Sequence, residues 1–336
     1  MKEITINDIA NQLKISKSTV SRALNDDSKV NDGTKMKVVD MAGQLGYRLN
    51  NFASDLLSKH TNILGVIVPS IRGPLMSEVI AGIESVVNNE GYSLVICQSG
   101  GDIKKEVKNA LKMFNNRIDG LMVSLAGDTS KTRHFNVFFK KDIPVLFFDR
   151  VPDDDRLPSV IIDTGKAGYE ATSHLIRRGC RRIFFISGGH RAGADRDLYN
   201  GYLRALKEYG LTESGEFIMS WNTGEQDAVL AAEKVISSGA DGVIATNHTT
   251  AMICLDEFKR RGIRIPEDIA VCGFNDSLLS QIVSPSLTTI NYPAYEMGEC
   301  LAKSLIQHLR SADGSSKMQS LKLKADLLIM ESSGHA

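Results

Sequence analysis

The sequence predicts an α/β protein in which an all-helical N-terminal headpiece precedes a two-lobed core of parallel sheets flanked by helices. Three observations carry that prediction. Residues 1–60 show helical periodicity broken by turn residues, residues from Asn62 onward alternate short β-rich runs with amphipathic stretches, and those runs form two similar series. With 336 residues, 42% of them hydrophobic and 24% charged, the chain has apolar material for more than one core.

In the headpiece, Ile6, Ile9, Ala10 and Leu13 fall at i, i+3, i+4 and i+7, one face of a helix. Thr5 precedes them and Asp8 follows three residues later, a capping-box arrangement. Ser16 caps a second helix running from Lys17 to Leu24, and Asn25-Asp26-Asp27 ends it with turn-forming residues. A third helix starts near Asn31, carries Val38, Ala42 and Leu45, and meets Gly46 where a C-cap glycine belongs. Helix, tight turn, helix and a closing third helix is the helix-turn-helix plan, whose second helix enters the DNA major groove by its N-terminal end. Its exposed face carries Lys17, Ser18, Ser21 and Arg22, which suit base edges and phosphates, while Val20, Ala23 and Leu24 face inward. Residues 1–60 hold nine basic against seven acidic side chains, only a weak positive excess. On periodicity alone, a generic three-helix bundle with a solvated polar face fits as well.

The body reads as buried strands ILGVIVP (63–69), YSLVICQS (92–99), IDGLMVS (118–124), IPVLFFD (143–149) and SVIID (159–163), then RIFFISG (182–188), EFIMSW (216–221), DGVIATN (241–247), DIAVCGF (268–274) and LTTI (287–290). Amphipathic stretches such as Ser77–Asn89, Lys104–Asn116 and Ala228–Ser238 lie between them. Near-continuous apolar strands with intervening helices mean a parallel sheet covered on both faces. In open α/β sheets a ligand binds outside the carboxyl ends of the strands. That rule selects the loop holding Ile71, Arg72 and Leu75, then Ser124, and Asp149 with Arg150. In the second half it selects His190 with Arg191, Trp221 with Asn222, Asn247 with His248, and Asn275 with Asp276. Trp221 is the only tryptophan; its face either stacks on a sugar ring or packs at a domain edge.

Other classes are excluded. Forty basic side chains balance forty acidic ones, which rules out a uniformly basic nucleic-acid coat protein but not a local basic surface. Cys97, Cys180, Cys254, Cys272 and Cys300 form no C-x-x-C pair and read as reduced thiols of a cytoplasmic protein, mostly small core residues. The polar start carries no signal-peptide pattern, and no run reaches the roughly 18 apolar residues of a membrane span, so a soluble cytoplasmic protein with no membrane partner is expected. No G-x-G-x-x-G follows a strand, Gly165-Lys166 lacks the rest of a phosphate loop, and Ser187-Gly188-Gly189 reads as a flexible strand-to-helix loop. The seven histidines show no H-x-x-x-H or H-x-H spacing, so no metal, no cofactor and no catalytic residue is assigned.

The segment TINDIANQLKISKSTVSRALNDDSKVNDGTKMKVVDMAGQLGYRLN resembles the DNA-binding headpiece of the lactose/galactose repressor family, through T-I-x-D-I-A, S-x-S-T-V-S-R-A-L-N and the closing L-G-Y. The resemblance implies a headpiece over 1–48 and extends operator contact to Thr5, Thr19, Asn25, Tyr47 and Asn50. Residues 49–60 correspond to the family's hinge. Ala53 and Leu56 match its A-x-x-L spacing, which makes Leu56 the candidate minor-groove wedge; the alternative is that Phe52, Leu56 and Leu57 pack on the body. Leu49 stands where the family usually has proline, and Asp55 brings a negative charge near the DNA.

Residues 61–336 resemble the family's effector-binding core, shaped like a periplasmic sugar-binding protein, through EVIAGIESVVNNEGYSL, VLFFDR, SVIIDT, GIRIPEDIAVCGFND, SPSLTTI and ADLLIMESS. By that resemblance one subdomain is 62–161 with 291–320 and the other 162–290 with 321–336. The family contacts its effector from the strand-end loops just named. His248 and Asn275 stand where the family usually has aspartate, which points to a neutral or acidic ligand, and Arg72 and Arg191 agree if they face inward. Leu198 replaces an effector-contacting arginine, and Arg196 either substitutes for it or lies outside. The resemblance implies a transcription regulator, a repressor in the first instance, acting as a homodimer on double-stranded, pseudo-palindromic operator DNA. It implies a small-molecule effector, a sugar or sugar derivative first and a purine-like corepressor second. A sugar-binding transport protein and a sugar-metabolising α/β enzyme are the rivals; the headpiece argues against the first and the missing catalytic set against the second.

Overall fold

Capping residues set the three headpiece helices. In the computed structural model, which describes residues 4–24, 26–47, 60–127, 132–187, 194–213, 216–218, 224–274, 277–311 and 318–334, α1 spans Ile6–Leu13, α2 Lys17–Leu24 and α3 Asp32–Leu45. The Asp8 carboxylate accepts from both the Thr5 N–H and the Thr5 hydroxyl. The Ser16 hydroxyl accepts the Thr19 N–H, and the Asn31 side chain accepts the Thr34 N–H, so α2 and α3 each start on a satisfied donor. Gly46 closes α3 in the left-handed region, at φ 66°. Ile9, Ala10, Val20, Ala23, Val30, Val38 and Ala42 form the small buried core, with Leu24, Leu45 and Tyr47 packed on it.

The chain divides into two compact units at Thr61/Asn62. The larger one holds two six-stranded sheets. In the first, β1 (Ile63–Val68), β2 (Ser93–Gln98), β3 (Gly120–Val123), β4 (Val145–Phe148), β5 (Ser159–Ile162) and β11 (Leu321–Leu323) run in the order β2-β1-β3-β4-β5-β11, all parallel. In the second, β6 (Ile183–Ser187), β7 (Glu216–Ile218), β8 (Gly242–Ala245), β9 (Ala270–Phe274), β10 (Thr288–Asn291) and β12 (Asp326–Leu328) run in the order β7-β6-β8-β9-β10-β12. Only β12 is antiparallel there, against β10. The helices are α4 (Pro74–Asn89), α5 (Ile103–Asn115), α6 (Asn136–Phe139), α7 (Thr164–Arg177), α8 (Ala194–Glu208), α9 (Gly224–Ser237), α10 (His248–Arg260), α11 (Ser277–Ile282) and α12 (Ala294–Arg310).

One expected boundary needs correction. Residues 321–323 were placed with the second subdomain, but β11 pairs in parallel with β5 of the first sheet. The alternation Leu321-Lys322-Leu323 buries only Leu323 along an edge, too weak an apolar signal to read as a strand. The chain therefore passes between the sheets at Asp163, at Tyr292-Pro293 and at Lys324-Ala325.

Helix pairs meet backbone to backbone in each lobe. A Cβ on Gly82 of α4 would stand 2.1 Å from the Tyr295 carbonyl oxygen, and one on Gly298 of α12 would stand 2.1 Å from that of Val79. In the second lobe Gly201 of α8 meets the Gly165 carbonyl of α7 at the same distance. These contacts seat the helix after each sheet's first strand against the helix that enters from a crossing.

The chain's end is held by buried polar groups. His174 of α7 is 4% exposed. Its Nε2 lies 2.7 Å from the Ser333 hydroxyl, which lies 2.6 Å from that of Thr288. Desolvation, with the nearby Arg178 and Arg177 adding to it, holds this imidazole below its ordinary pKa. The unfolded chain therefore takes up the proton first. Stability is fully present above about pH 6.5, the unfolded value, and is lost as pH falls from there through the folded value. Denaturant unfolding between about pH 7 and 5 should show this loss, and His174→Gln should flatten it. Equal slopes for the two proteins would contradict the assignment.

Candidate nucleic-acid interface and ligand cleft

The exposed side of α2 is built by its own spacing. Val20 and Ala23 are buried, which leaves Lys17, Ser18 and Arg22 exposed and Ser21 partly so. Ser18 and Thr19 are engaged at the helix start, where both hydroxyls lie 2.8 Å from Ser16 Oγ. The other end of α2 closes in a Schellman arrangement. Asp26 takes a positive φ of 53°, its N–H donates to the Ala23 carbonyl, and the Asp27 N–H donates to the Arg22 carbonyl. Lys35 of α3 locks this turn with Nζ 2.6 Å from Asp26 Oδ1, and that contact holds the Asp26 carboxyl below its usual range. Thr5 is exposed at the head of α1, and Tyr47 is half-buried against the headpiece core. Asn25, Asn50, Ala53 and Leu56, and with the last two the wedge reading, lie outside the described residues.

In the body, the carboxyl ends of the first sheet gather part of the expected cleft. Ser124, fully buried after β3, donates its hydroxyl to Asp149 Oδ2 at 3.1 Å. Asp149 ends β4 at a φ of 55°. Desolvation pushes its carboxyl above the usual range, against the pull of the Arg150 guanidinium and the Ser124 hydroxyl. Tyr292, at the second crossing, has its phenol pushed up by desolvation and by the charges of Asp195 and Asp149. The strand end at Asp149 in the first lobe and the head of α8 at Asp195 in the second thus each lie within electrostatic range of Tyr292. Tyr292 and Asp195 were not among the expected residues. Tyr292 lies two residues past the LTTI run, just beyond β10, and that crossing is the signal that could have found it.

The loop after β3 is fastened from behind. Glu106 of α5 has no exposed surface; its carboxyl accepts the Ala126 N–H at 2.5 Å and meets His134 Nε2 at 2.9 Å. The Leu125 N–H donates to the Arg150 carbonyl. Ser124 and Asp149 are therefore set by a braced loop.

The remaining expected residues divide. Ile71 and Arg72 are exposed beyond β1, where the Ile71 N–H donates to the Gln98 side chain, and Leu75 is half-buried at the start of α4. Asn247 spends its side-chain oxygen capping α10 on the Thr250 N–H, and His248, half-buried, is the first residue of that helix. Leu198 is buried in the core, and Arg196 is 56% exposed with Nε 3.7 Å from Asp197. Arg191, Trp221 and Asn275 lie outside the described residues.

A groove of about 470 Å³ lies elsewhere, between Asp163, Gly165, Lys166, Tyr169, Glu170, Arg204 and Lys322. It is a mixed-charge surface furrow beside the carboxyl end of β5, with Lys322 Nζ already 3.0 Å from Asp163. Among the described residues no group of three or more His, Cys, Asp or Glu is placed to hold a metal. The five cysteines are free, and burial pushes the thiols of Cys254 and Cys272 up to about 12. No described helix is long and apolar enough to cross a membrane.

Comparison with known proteins agrees with this architecture. The profile of bacterial regulatory proteins of the lacI family matches residues 5–50, and that of a periplasmic binding protein-like domain matches residues 172–332. The chain is 30% identical over 311 residues to the HTH-type transcriptional repressor PurR of Vibrio vulnificus (strain CMCP6), covering 92% of this chain and 93% of that one. Its fold matches the lac repressor dimer bound to operator and the anti-inducer ONPF with a TM-score of 0.83 at 23% identity, over 99% of each chain. It matches the transcriptional regulator CelR in complex with cellobiose with a TM-score of 0.71 at 22% identity, over 98% of this chain and 100% of that one. These relatives are regulators and not enzymes. With a repressor of this similarity matched over nearly its whole length, the chain is a DNA-binding transcription regulator of the lacI family of bacterial regulatory proteins.

Proposed function

We propose that this regulator is a cytoplasmic repressor that acts as a homodimer on a pseudo-palindromic operator, reads bases with Arg22 on α2, and is controlled by a neutral, sugar-like effector held between its two lobes. The buried Ser124–Asp149 hydrogen bond at the carboxyl ends of the first sheet, with Tyr292 and Asp195 in its electrostatic surroundings, carries the effector part of this reading. Hydroxyl and carboxyl groups suit the hydroxyls of a sugar. Two carboxyl groups around Tyr292 disfavour an anion, which narrows the neutral-or-acidic expectation to neutral. The fold shared with a cellobiose-bound regulator supports the same class. A ligand touching both lobes favours one closure and so shifts the population presented to DNA. For the dimer, the support is the lac repressor dimer of the same fold.

Thermal unfolding of the full chain with neutral sugars, sugar acids and purine bases tests the effector class. A neutral sugar should raise the melting temperature, and Asp149→Asn should remove most of that rise. A response confined to sugar acids or to purines would overturn the sugar reading.

A further inference from the structure

We propose that Asp27 is a positioning residue for base reading: it holds the Arg22 guanidinium by its Nε side and leaves both terminal nitrogens free to face a guanine. The proposal rests on Arg22 reading DNA, as proposed above. A Schellman closure brings the residue two beyond the helix cap beside the residue in the helix's last turn, and an apolar pair commonly fills those two places. Here the pair is charged. The Asp27 N–H donates to the Arg22 carbonyl at 2.9 Å, which fixes the two backbones together. Asp27 Oδ1 accepts the Lys29 N–H at 2.9 Å, so the carboxylate is itself oriented by the chain. Its other oxygen, Oδ2, lies 3.9 Å from Arg22 Nε.

The consequences are geometric. A guanine edge offers two acceptors, O6 and N7, and an arginine reads it best with two parallel donors. A free arginine side chain on a helix surface samples many rotamers and loses that freedom on binding. A carboxylate anchored by the backbone and facing Nε restricts the guanidinium before DNA arrives. It also places a negative charge near the phosphates, which lowers affinity for DNA of any sequence. Asp27 therefore trades general affinity for discrimination.

The test uses the full chain, a duplex selected by it from a randomised pool, and a scrambled duplex of the same composition. Asp27→Asn keeps an oxygen for the Lys29 N–H and removes the charge. The ratio of selected to scrambled affinity should fall about fivefold or more, the lower bound of one bidentate contact, while scrambled binding tightens. In an Arg22→Ala background the same substitution should leave the ratio unchanged. Unaltered thermal unfolding of Asp27→Asn separates this from loss of the headpiece fold, and Asp27→Glu should restore part of the ratio if that variant is needed. An unchanged ratio for Asp27→Asn, where Arg22→Ala alone lowers it, would overturn the positioning role and leave Arg22 reading intact. An equal fall in both backgrounds would also overturn it. A wild-type ratio in Arg22→Ala would overturn the reading by Arg22 and this proposal with it.

Discussion

Arg22→Ala is expected to weaken sequence-specific operator binding severely while leaving the fold and effector binding unchanged. Arg22 is more than half exposed, and its ion-pair partner is the exposed-side Asp27. An exposed pair of this kind is worth about 0–1 kcal/mol to stability. Its value to DNA reading is larger. A bidentate arginine contact supplies about 1–3 kcal/mol of base discrimination, and the proposed dimer would make it twice, so specific affinity should fall about 30-fold to 20,000-fold. Fluorescence anisotropy with the selected duplex measures the loss, and denaturant unfolding checks the fold. Unchanged specific affinity would remove Arg22 from the interface.

Glu106→Ala should strongly destabilise the body. The carboxyl group is fully buried and braces two segments of the chain, at Ala126 and His134. Truncation takes the acceptor from a backbone N–H and from an imidazole in a place that water does not reach. Leaving a buried donor unsatisfied costs about 1–3 kcal/mol, most of it the desolvation of the group left behind. Glu106→Gln keeps one acceptor and should cost less. The same change should loosen Ser124 and Asp149, because Leu125 and Ala126 follow Ser124 directly and Leu125 bonds to Arg150. Denaturant midpoints of the two variants and the parent give the comparison. A Glu106→Ala protein within about 0.5 kcal/mol of the parent, as a surface change would be, would contradict the brace.

Much of this was legible in the sequence because it rests on local rules. Thr5, Ser16, Asn31 and Gly46 mark helix ends by the donors and dihedrals that those ends require, and the structure uses each of them so. The ten apolar runs became ten strands because parallel sheets bury both faces. What escaped has no local signature. β11 is an edge strand with one buried side chain. Glu106 sits in the charged stretch Lys104-Lys105-Glu106 and reads as solvated, yet it is the one of the three that turns inward. Tyr292 comes within electrostatic range of Asp195 because the chain recrosses between lobes, a fact of topology that no spacing encodes. Arg196 is exposed beside Asp197, and its sequence distance from Leu198 alone does not say where its side chain is used.

The central claim is that a small molecule in the cleft controls DNA affinity. Its most direct test is the affinity of the full chain for its selected duplex, titrated by anisotropy with and without the neutral sugar that raises its melting temperature. The account predicts that saturating sugar shifts the dissociation constant by about 5-fold to 150-fold, the usual range of coupling between sites, and that Asp149→Asn abolishes the shift. A sugar that binds and stabilises the protein but leaves the dissociation constant unchanged would contradict it.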